Sequence, residues 1–211
     1  MRLSATGIWR KLGFAGIALC FALAALPLRP AVASSTTDTV WSLYQTLLAT
    51  MQSGPALGPR GRYDRIEPVV RRVFDIDYMT RLAVGPEWAR LTQAERQQVA
   101  QAFQRYIAAV YADRFDSYSG ERLLVTGERP SVGGPIVTSQ IIKSDGEPVN
   151  ISYLMRNNAG VWQIADVYLD GTISELATRR SEFASILRSR GINGLIETLN
   201  AKATTLGARA S

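Results

Sequence analysis

The fold class that the sequence predicts is α+β, a single domain in which helices pack on a curved antiparallel sheet of about four strands. Apolar residues recur every three or four positions in the first half of the chain and again near its end. Between these regions, short runs are rich in β-branched and aromatic residues. The connections between those runs are too short for parallel crossovers, so we expect antiparallel hairpins with helices on one side.

Residues 1–33 are predicted to be a cleaved secretory signal peptide. Arg2, Arg10 and Lys11 form a positive start, residues 12–28 an apolar core, and Ala31-Val32-Ala33 a cleavage pattern. The alternative is an N-terminal membrane anchor. It is less favoured because the apolar run is about 17 residues, at the lower limit of the roughly 17–25 that span a bilayer. We therefore expect an exported protein.

Composition excludes several classes of function. Four of the 24 Lys and Arg residues lie in residues 1–33 and none of the 18 acidic ones does, so the remainder is close to neutral. Its charges alternate in sign, which argues against nucleic acid as a partner. The chain has no histidine, and its one cysteine, Cys20, leaves with the signal peptide. Triads with histidine or cysteine and most zinc or copper sites are thereby excluded, and we expect no metal and no cofactor.

The first half of the chain is predicted to be helical. Breaks are expected at Ser53-Gly54-Pro55 and at Gly58-Pro59. Thr92-Gln93-Ala94-Glu95 is a capping box that opens the longest helix. The predicted helices are Thr39–Met51, Tyr63–Phe74, Asp77–Leu82 and a long one from Thr92 to about Phe115.

The second half changes to a two-residue period and then returns to helix. Strands are predicted at Arg122–Thr126, Ile136–Lys143, Val149–Arg156 and Val161–Leu169, separated by turn sequences. A last helix is predicted from Ser174 to Arg190, ended by Gly191, and a short one from Gly194 to Ala203. These boundaries predict one domain over residues 34–203 and a flexible tail over residues 204–211.

One stretch carries a family resemblance. The segment Trp162–Leu176, which contains Leu169-Asp170-Gly171-Thr172-Ile173-Ser174-Glu175-Leu176, and the following Arg179-Arg180-Ser181-Glu182-Phe183 resemble the MlaC family, also called the toluene-tolerance family. Phe74-Asp75 and the Leu91–Tyr111 region are similar to the same family, and the likeness extends over roughly residues 38–202. The sequence from Leu169 onwards is most similar to the hopanoid-associated HpnM subgroup of this family.

The resemblance implies a periplasmic lipid carrier without enzymatic activity. It implies a phospholipid or hopanoid as cargo, and as partners an inner-membrane lipid-transport ABC complex and an outer-membrane lipoprotein complex. It also implies an apolar pocket between the helices and the concave face of the sheet. The residues expected to contact lipid there are Phe103, Tyr106, Val110, Tyr111, Ile151, Tyr153, Met155, Val167, Leu169 and Ile173. Met79, Leu82 and Trp88 are candidates for the mouth. The same apolar residues could instead form an ordinary core.

An alternative from another class is an exported isomerase or hydrolase. Simple alternation puts Asp166 and Tyr168 on one strand face with Trp162 and Ile164, and an acid beside a phenol can transfer protons. The plainer interpretation is that Asp166 pairs with an arginine or lies at a solvated edge. A third possibility is an assembly factor that binds only protein. The basic pairs Arg71-Arg72 and Arg179-Arg180 are either solvated helix faces or docking sites for membrane complexes.

Overall fold

The computed structural model describes residues 35–208, so the predicted signal peptide lies outside the described residues. The helices are α1 (Thr36–Val73), α2 (Ile76–Val84), α3 (Gln93–Arg114) and α4 (Glu175–Ala208), with a 3₁₀ turn at Gly85–Arg90 after α2. The strands are β1 (Arg122–Arg129), β2 (Ile136–Ile142), β3 (Pro148–Asn158), β4 (Val161–Leu169) and β5 (Ile173–Ser174). Within residues 35–208, no helix combines the length and the apolar character that a membrane span requires.

The strands form one open antiparallel sheet in the order β1-β2-β3-β4-β5, which confirms the predicted α+β fold. The four predicted strands are present, and β5 adds two residues at the edge beside β4. Each strand pairs with the next one along the chain, as the short connections require. The helices cover one face of this curved sheet, and the buried side chains of both form a single core.

α1 bends at one place, whereas the sequence predicted two breaks. It continues through Gly54 and Pro55 and bends only at Gly58, whose φ of 61° lies in the left-handed region that glycine tolerates. Gly54 is helical, and the backbone of Asp116 packs where its side chain would otherwise stand. Close packing, rather than a turn, therefore explains the glycine at position 54.

A buried arginine joins this bend to the end of α3. Arg62 is 4% exposed, and its guanidinium donates to the carbonyl oxygens of Gly54 (3.3 Å) and Ala112 (3.0 Å). Both carbonyls lie within four residues of a helix interruption or end, where the regular i+4 donor is missing. Arg62 satisfies both acceptors, so its burial serves the junction of α1 and α3.

The capping box predicted for α3 is present. The Thr92 hydroxyl accepts from the Glu95 N–H, and the Glu95 carboxylate accepts from the Thr92 N–H at 2.7 Å. The hydrogen bonds that the carboxylate accepts, first from the Thr92 N–H and then from the Thr92 hydroxyl (2.7 Å), lower the pKa of Glu95. Ser35 and Asp38 form a second capping box, which opens α1 three residues before the predicted start.

The end of the domain lies beyond the predicted position. Gly191, with φ of 65°, interrupts α4 where the sequence predicted a stop. The helix then continues to Ala208, so residues 204–208 are helical and not part of the flexible tail that we predicted from 204 to 211. Leu206 packs against the core and explains this extension. Residues 209–211 lie outside the described part.

We predict that Gly54→Ala destabilises the protein, because the new methyl group must displace the backbone of Asp116. The free energy of unfolding should fall by about 1–3 kcal/mol, as for an over-packed core site. Gly207→Ala is the matched control, since nothing lies within 4 Å of its added methyl group. It should leave stability unchanged or raise it by up to about 1 kcal/mol. Equal urea midpoints for the two variants would contradict this account.

We also predict that Glu95→Gln removes part of the acid sensitivity of the fold. A carboxyl whose pKa is lower in the folded state stabilises that state at every pH above the ordinary glutamate pKa of 4.5. This contribution is lost as the pH falls through the folded pKa. Urea midpoints measured from neutral to acidic pH should therefore fall less steeply for Glu95→Gln than for the parent chain. Glu87→Gln, in an exposed pair with Arg90, is the control, and a curve parallel to that of Glu95→Gln would refute the prediction.

Candidate functional site

An apolar cavity of about 330 Å³ lies between α3, the concave face of the sheet and the first turns of α4. Side chains from the end of α1 and from α2 close it. Its wall is aliphatic and aromatic apart from three charged residues, and consists of Phe74, Met79, Phe103, Tyr106, Ile107, Val110, Tyr111, Arg114, Phe115, Ile141, Val149, Ile151, Tyr153, Val167, Leu169, Glu175, Leu176 and Arg179.

Local structure explains how separate segments meet in this wall. Phe103, Tyr106 and Val110 follow one another at helical spacing, so α3 presents them on one face. On the sheet, alternate residues of one strand share a face, and the register sets Ile141 opposite Val149 and Leu169 opposite Ile151. The wall is therefore one face of a helix laid across one face of a sheet.

Aromatic contacts and a chain of hydroxyl groups fix the inner part of the cavity. The ring of Tyr111 lies 5.7 Å from those of Phe74 and Phe115, centre to centre. The Ser139 hydroxyl donates to the carbonyl oxygen of Ile151 (2.7 Å), so Tyr44 must donate to Ser139 (2.6 Å), and Tyr153 donates to Tyr44 (3.2 Å). Burial raises the pKa of Tyr44, Tyr111 and Tyr153, and these phenols stay neutral at physiological pH.

The charged residues of the wall lie where the cavity opens. Ile141, Val149 and Leu169, at neighbouring strand ends, are only half-buried, as is Glu175, and Arg114 is exposed. By contrast, Phe74, Phe103 and Tyr153 are almost fully buried. The cavity therefore has a dry inner end and a mouth where solvent reaches charged side chains.

Arg179 belongs to an ion-pair cluster beside this mouth. Its guanidinium bonds to Glu175 (3.1 Å) and Glu182 (3.0 Å), and Glu182 also lies 3.7 Å from the ammonium of Lys202. Both cations lie over the ring of Tyr106, at 5.3 Å for Arg179 and 5.8 Å for Lys202. The cluster links the two halves of α4 across the Gly191 bend and encloses Tyr106.

Eight of the ten residues that the sequence assigned to the pocket line this cavity. Met155 does not, because it is fully buried in the core opposite Ile164. Ile173 does not either. It faces Leu169 across the edge of the sheet and is 54% exposed, so it lies outside the cavity wall to which the sequence assigned it. Of the candidates for the mouth, Met79 lines the cavity whereas Leu82 and Trp88 do not.

Several lining residues were missed. Ile107 lies on the predicted apolar face of α3, and Ile141 alternates along a predicted strand, so periodicity could have found both. Arg114, Glu175 and Arg179 carry no such signal, since charged residues at helix ends are normally solvated. Their position became visible only once α3 and α4 were placed side by side.

Asp166 and Tyr168 do not enter the cavity. Asp166 faces Leu154 across the sheet while Met155 faces Ile164, so Ala165 forms a bulge that the alternation pattern did not show. The bulge puts Asp166 and Tyr168 on the face opposite Ile164, and not on the shared face that we predicted. Burial, then the charge of Asp166, raises the pKa of Tyr168. The proposed acid–phenol pair is therefore absent from the cavity wall.

The Asp166 carboxylate is instead saturated by hydrogen bonds at the β4–α4 junction. It accepts from the N–H groups of Val167 (2.7 Å) and Leu176 (3.0 Å) and from the hydroxyl of Ser174 (2.5 Å). Its side chain is buried, and its partners include the first turn of α4. Within residues 35–208, no group of three or more acidic side chains is arranged to hold a metal ion.

We predict that Asp166→Ala costs about 2–4 kcal/mol of folding stability, because three donors lose their acceptor. Asp64→Ala is the control, since it removes only an exposed i,i+4 pair with Arg60 and should cost less than about 1 kcal/mol. Urea unfolding followed by circular dichroism provides both values. Equal stabilities of the two variants would remove the structural role assigned to Asp166.

The chain was compared with known proteins. The family model described as MlaC protein matches residues 42–201. Among solved structures, the phospholipid-binding protein from Ralstonia solanacearum, in complex with a phospholipid, superimposes with a TM-score of 0.68 at 23% sequence identity. The match covers 82% of this chain and 99% of that one, and it shows that the two share a fold. Since the family model spans most of the sequence, this chain belongs to the MlaC protein family.

Proposed function

We propose that this chain is a periplasmic lipid carrier that holds acyl chains in the cavity and shuttles lipid between inner- and outer-membrane complexes. The observation that carries the proposal is the division of the cavity into a dry apolar interior and a charged mouth. An amphiphile has the same division, since its chains avoid water and its head group does not. The family membership supports this function, as does the shared fold with a protein described as phospholipid-binding.

The energetics favour a cavity over a surface groove. Burying a methylene is worth about 0.8 kcal/mol, so a 16-carbon chain gains at most about 12 kcal/mol when it leaves water. A groove leaves part of that surface wet. At about 330 Å³, the cavity is at the small end of the roughly 300–1,000 Å³ of ligand pockets and suits one acyl chain.

The finer assignments rest on the sequence. The predicted signal peptide supports export, and the family resemblance supports periplasmic membrane complexes as partners. A phospholipid is the first candidate cargo. A hopanoid is the second, supported by the likeness of the segment from Leu169 onwards to the HpnM subgroup. Both have a long apolar body and one polar end.

The cavity supports binding without a chemical step. The phenols of Tyr111 and Tyr153 remain neutral because burial raises the pKa of each, and the Asp166 carboxylate lies elsewhere. Glu175, the carboxylate in the wall, is paired with Arg179. None of these groups is arranged as a base facing the interior, so the isomerase or hydrolase alternative has no support in the geometry.

We predict that the chain, purified from a periplasmic extract without detergent, carries one lipid per protein. Native mass spectrometry gives the stoichiometry, and solvent extraction identifies the lipid. A diacyl phospholipid or a hopanoid would establish the cargo class. A lipid-free mass that stays unchanged after incubation with phospholipid vesicles would refute the carrier function.

Paired variants test whether the lipid lies in this cavity. Ile151→Glu places a carboxylate inside the wall and should abolish lipid binding, whereas Ile173→Glu, outside the wall, should retain it. Val110→Phe fills space without adding charge and covers the case in which Ile151→Glu fails to fold. Equal lipid content in Val110→Phe and Ile173→Glu would place the lipid elsewhere.

A further inference from the structure

The mouth of the cavity contains a cation, Arg114, that has no counter-ion among residues 35–208. Arg114 ends α3, lines the cavity and is exposed to solvent. No carboxylate of residues 35–208 lies within ion-pair distance of its guanidinium. The adjacent ring of Phe115, stacked on that of Tyr111, forms the apolar wall directly beside it.

The second cation of the wall differs from Arg114 in this respect. Arg179 bonds to both Glu175 and Glu182, and its side chain is only 16% exposed. Its donors are directed at those carboxylates, and its charge is compensated. At the mouth, Arg114 is therefore the cation whose charge and donors are available to a ligand.

We propose that Arg114 binds the phosphate of the lipid head group and makes the carrier selective for phosphate-bearing lipids. This inference rests on the proposed lipid-carrier function and assigns its polar subsite. A lipid whose chain fills the apolar interior must leave its head group at the mouth, beside Arg114. A guanidinium can donate two parallel hydrogen bonds to a phosphate, whereas a neutral head group offers no anionic acceptor. Arg114 thus favours a phospholipid over a neutral lipid of equal chain length.

The same arginine has a simpler interpretation. A cation in the last turn of a helix interacts favourably with the helix dipole, and it would do so without any ligand. That role affects the stability of the fold and does not depend on the head group of a lipid. Head-group selectivity is therefore the property that separates the two interpretations.

The experiment measures that selectivity with lipids that differ only in the phosphate. The folded full chain is incubated with an equimolar mixture of dioctanoyl phosphatidylglycerol and dioctanoylglycerol, and native mass spectrometry counts both complexes. The parent chain should prefer the phospholipid about tenfold, a modest value for hydrogen bonds to a charged group in a wet site. Arg114→Gln should reduce the preference to about twofold or less.

Matched variants serve as controls. Arg188→Gln removes the same charge from an exposed position of α4 away from the cavity and should keep the parent's preference. Arg114→Lys keeps the charge without the planar donor pair and should give an intermediate value. Thermal unfolding of all variants verifies that each is folded. A parallel incubation with excess inorganic phosphate should lower the preference of the parent chain and not that of Arg114→Gln, because free phosphate competes for the same guanidinium. An equal effect on both chains would overturn the proposal.

Each outcome has one meaning. Loss of preference in Arg114→Gln alone supports the phosphate subsite. An unchanged preference in that variant overturns it, as does an equal loss in Arg188→Gln, and in both cases the cavity remains a lipid site. If the parent chain binds both lipids equally, the subsite is wrong and the carrier function stands. If it binds neither, the carrier function fails, and the subsite with it.

Discussion

The position of the last helix depends on one buried carboxylate. The Asp166 carboxylate accepts hydrogen bonds from two backbone N–H groups and one hydroxyl. Because two of these donors belong to Ser174 and Leu176, the carboxylate determines where α4 leaves the sheet. Because α4 starts there, Leu176 closes the apolar wall, while Glu175 and Arg179 stand at the mouth. The bulge at Ala165 is part of the same constraint, since it turns the carboxylate towards the helix and Val167 towards the cavity. The residue that the sequence offered as a catalytic acid thus shapes a cavity whose wall it does not join.

An apolar cavity remains open only if its walls are held apart, since apolar side chains otherwise close over empty space. In this protein the wall is supported from behind by polar contacts. The Tyr153–Tyr44–Ser139 chain fixes an aromatic ring of the sheet, and Arg62 joins the end of α3 to the bend of α1. Glu182, bonded to both Arg179 and Lys202, holds the two halves of α4 together. The tyrosine chain and Arg62 are buried, where a broken hydrogen bond is costly, whereas the pair of Glu182 with Lys202 is more than a third exposed and contributes less.

Periodicity and turn chemistry were sufficient to predict the elements but not their fine geometry. The strand beginning at Arg122 and the capping box at Thr92 were found because both rest on local sequence. The bulge at Ala165 could not be predicted, because an alternating pattern gives no sign of one extra residue, and it reversed the predicted face of Asp166. Gly54 looked like a helix break because the approach of Asp116 is a long-range contact. The helix and strand faces indicated which residues are apolar, and the family resemblance implied that they line a pocket. Arg114 and Arg179 depend on how α3 and α4 lie together.

The arrangement of the site also bears on how a lipid could leave it. Nearly all of the binding energy lies in the acyl chain, about 0.8 kcal/mol for each methylene, so release into water is prohibitively slow. Release is fast only into a second apolar channel, where each methylene that leaves one wall meets another and the free energy changes little along the path. Such a channel must join the mouth between Arg114 and Glu175, because the opposite end is closed by Phe74 and Phe103, both almost completely buried. Under the proposed carrier function, the head group lies in water at the mouth, leaves first, and the chain follows. We therefore propose that a receiving complex would contact the rim formed by the ends of α3, β2, β3 and β4.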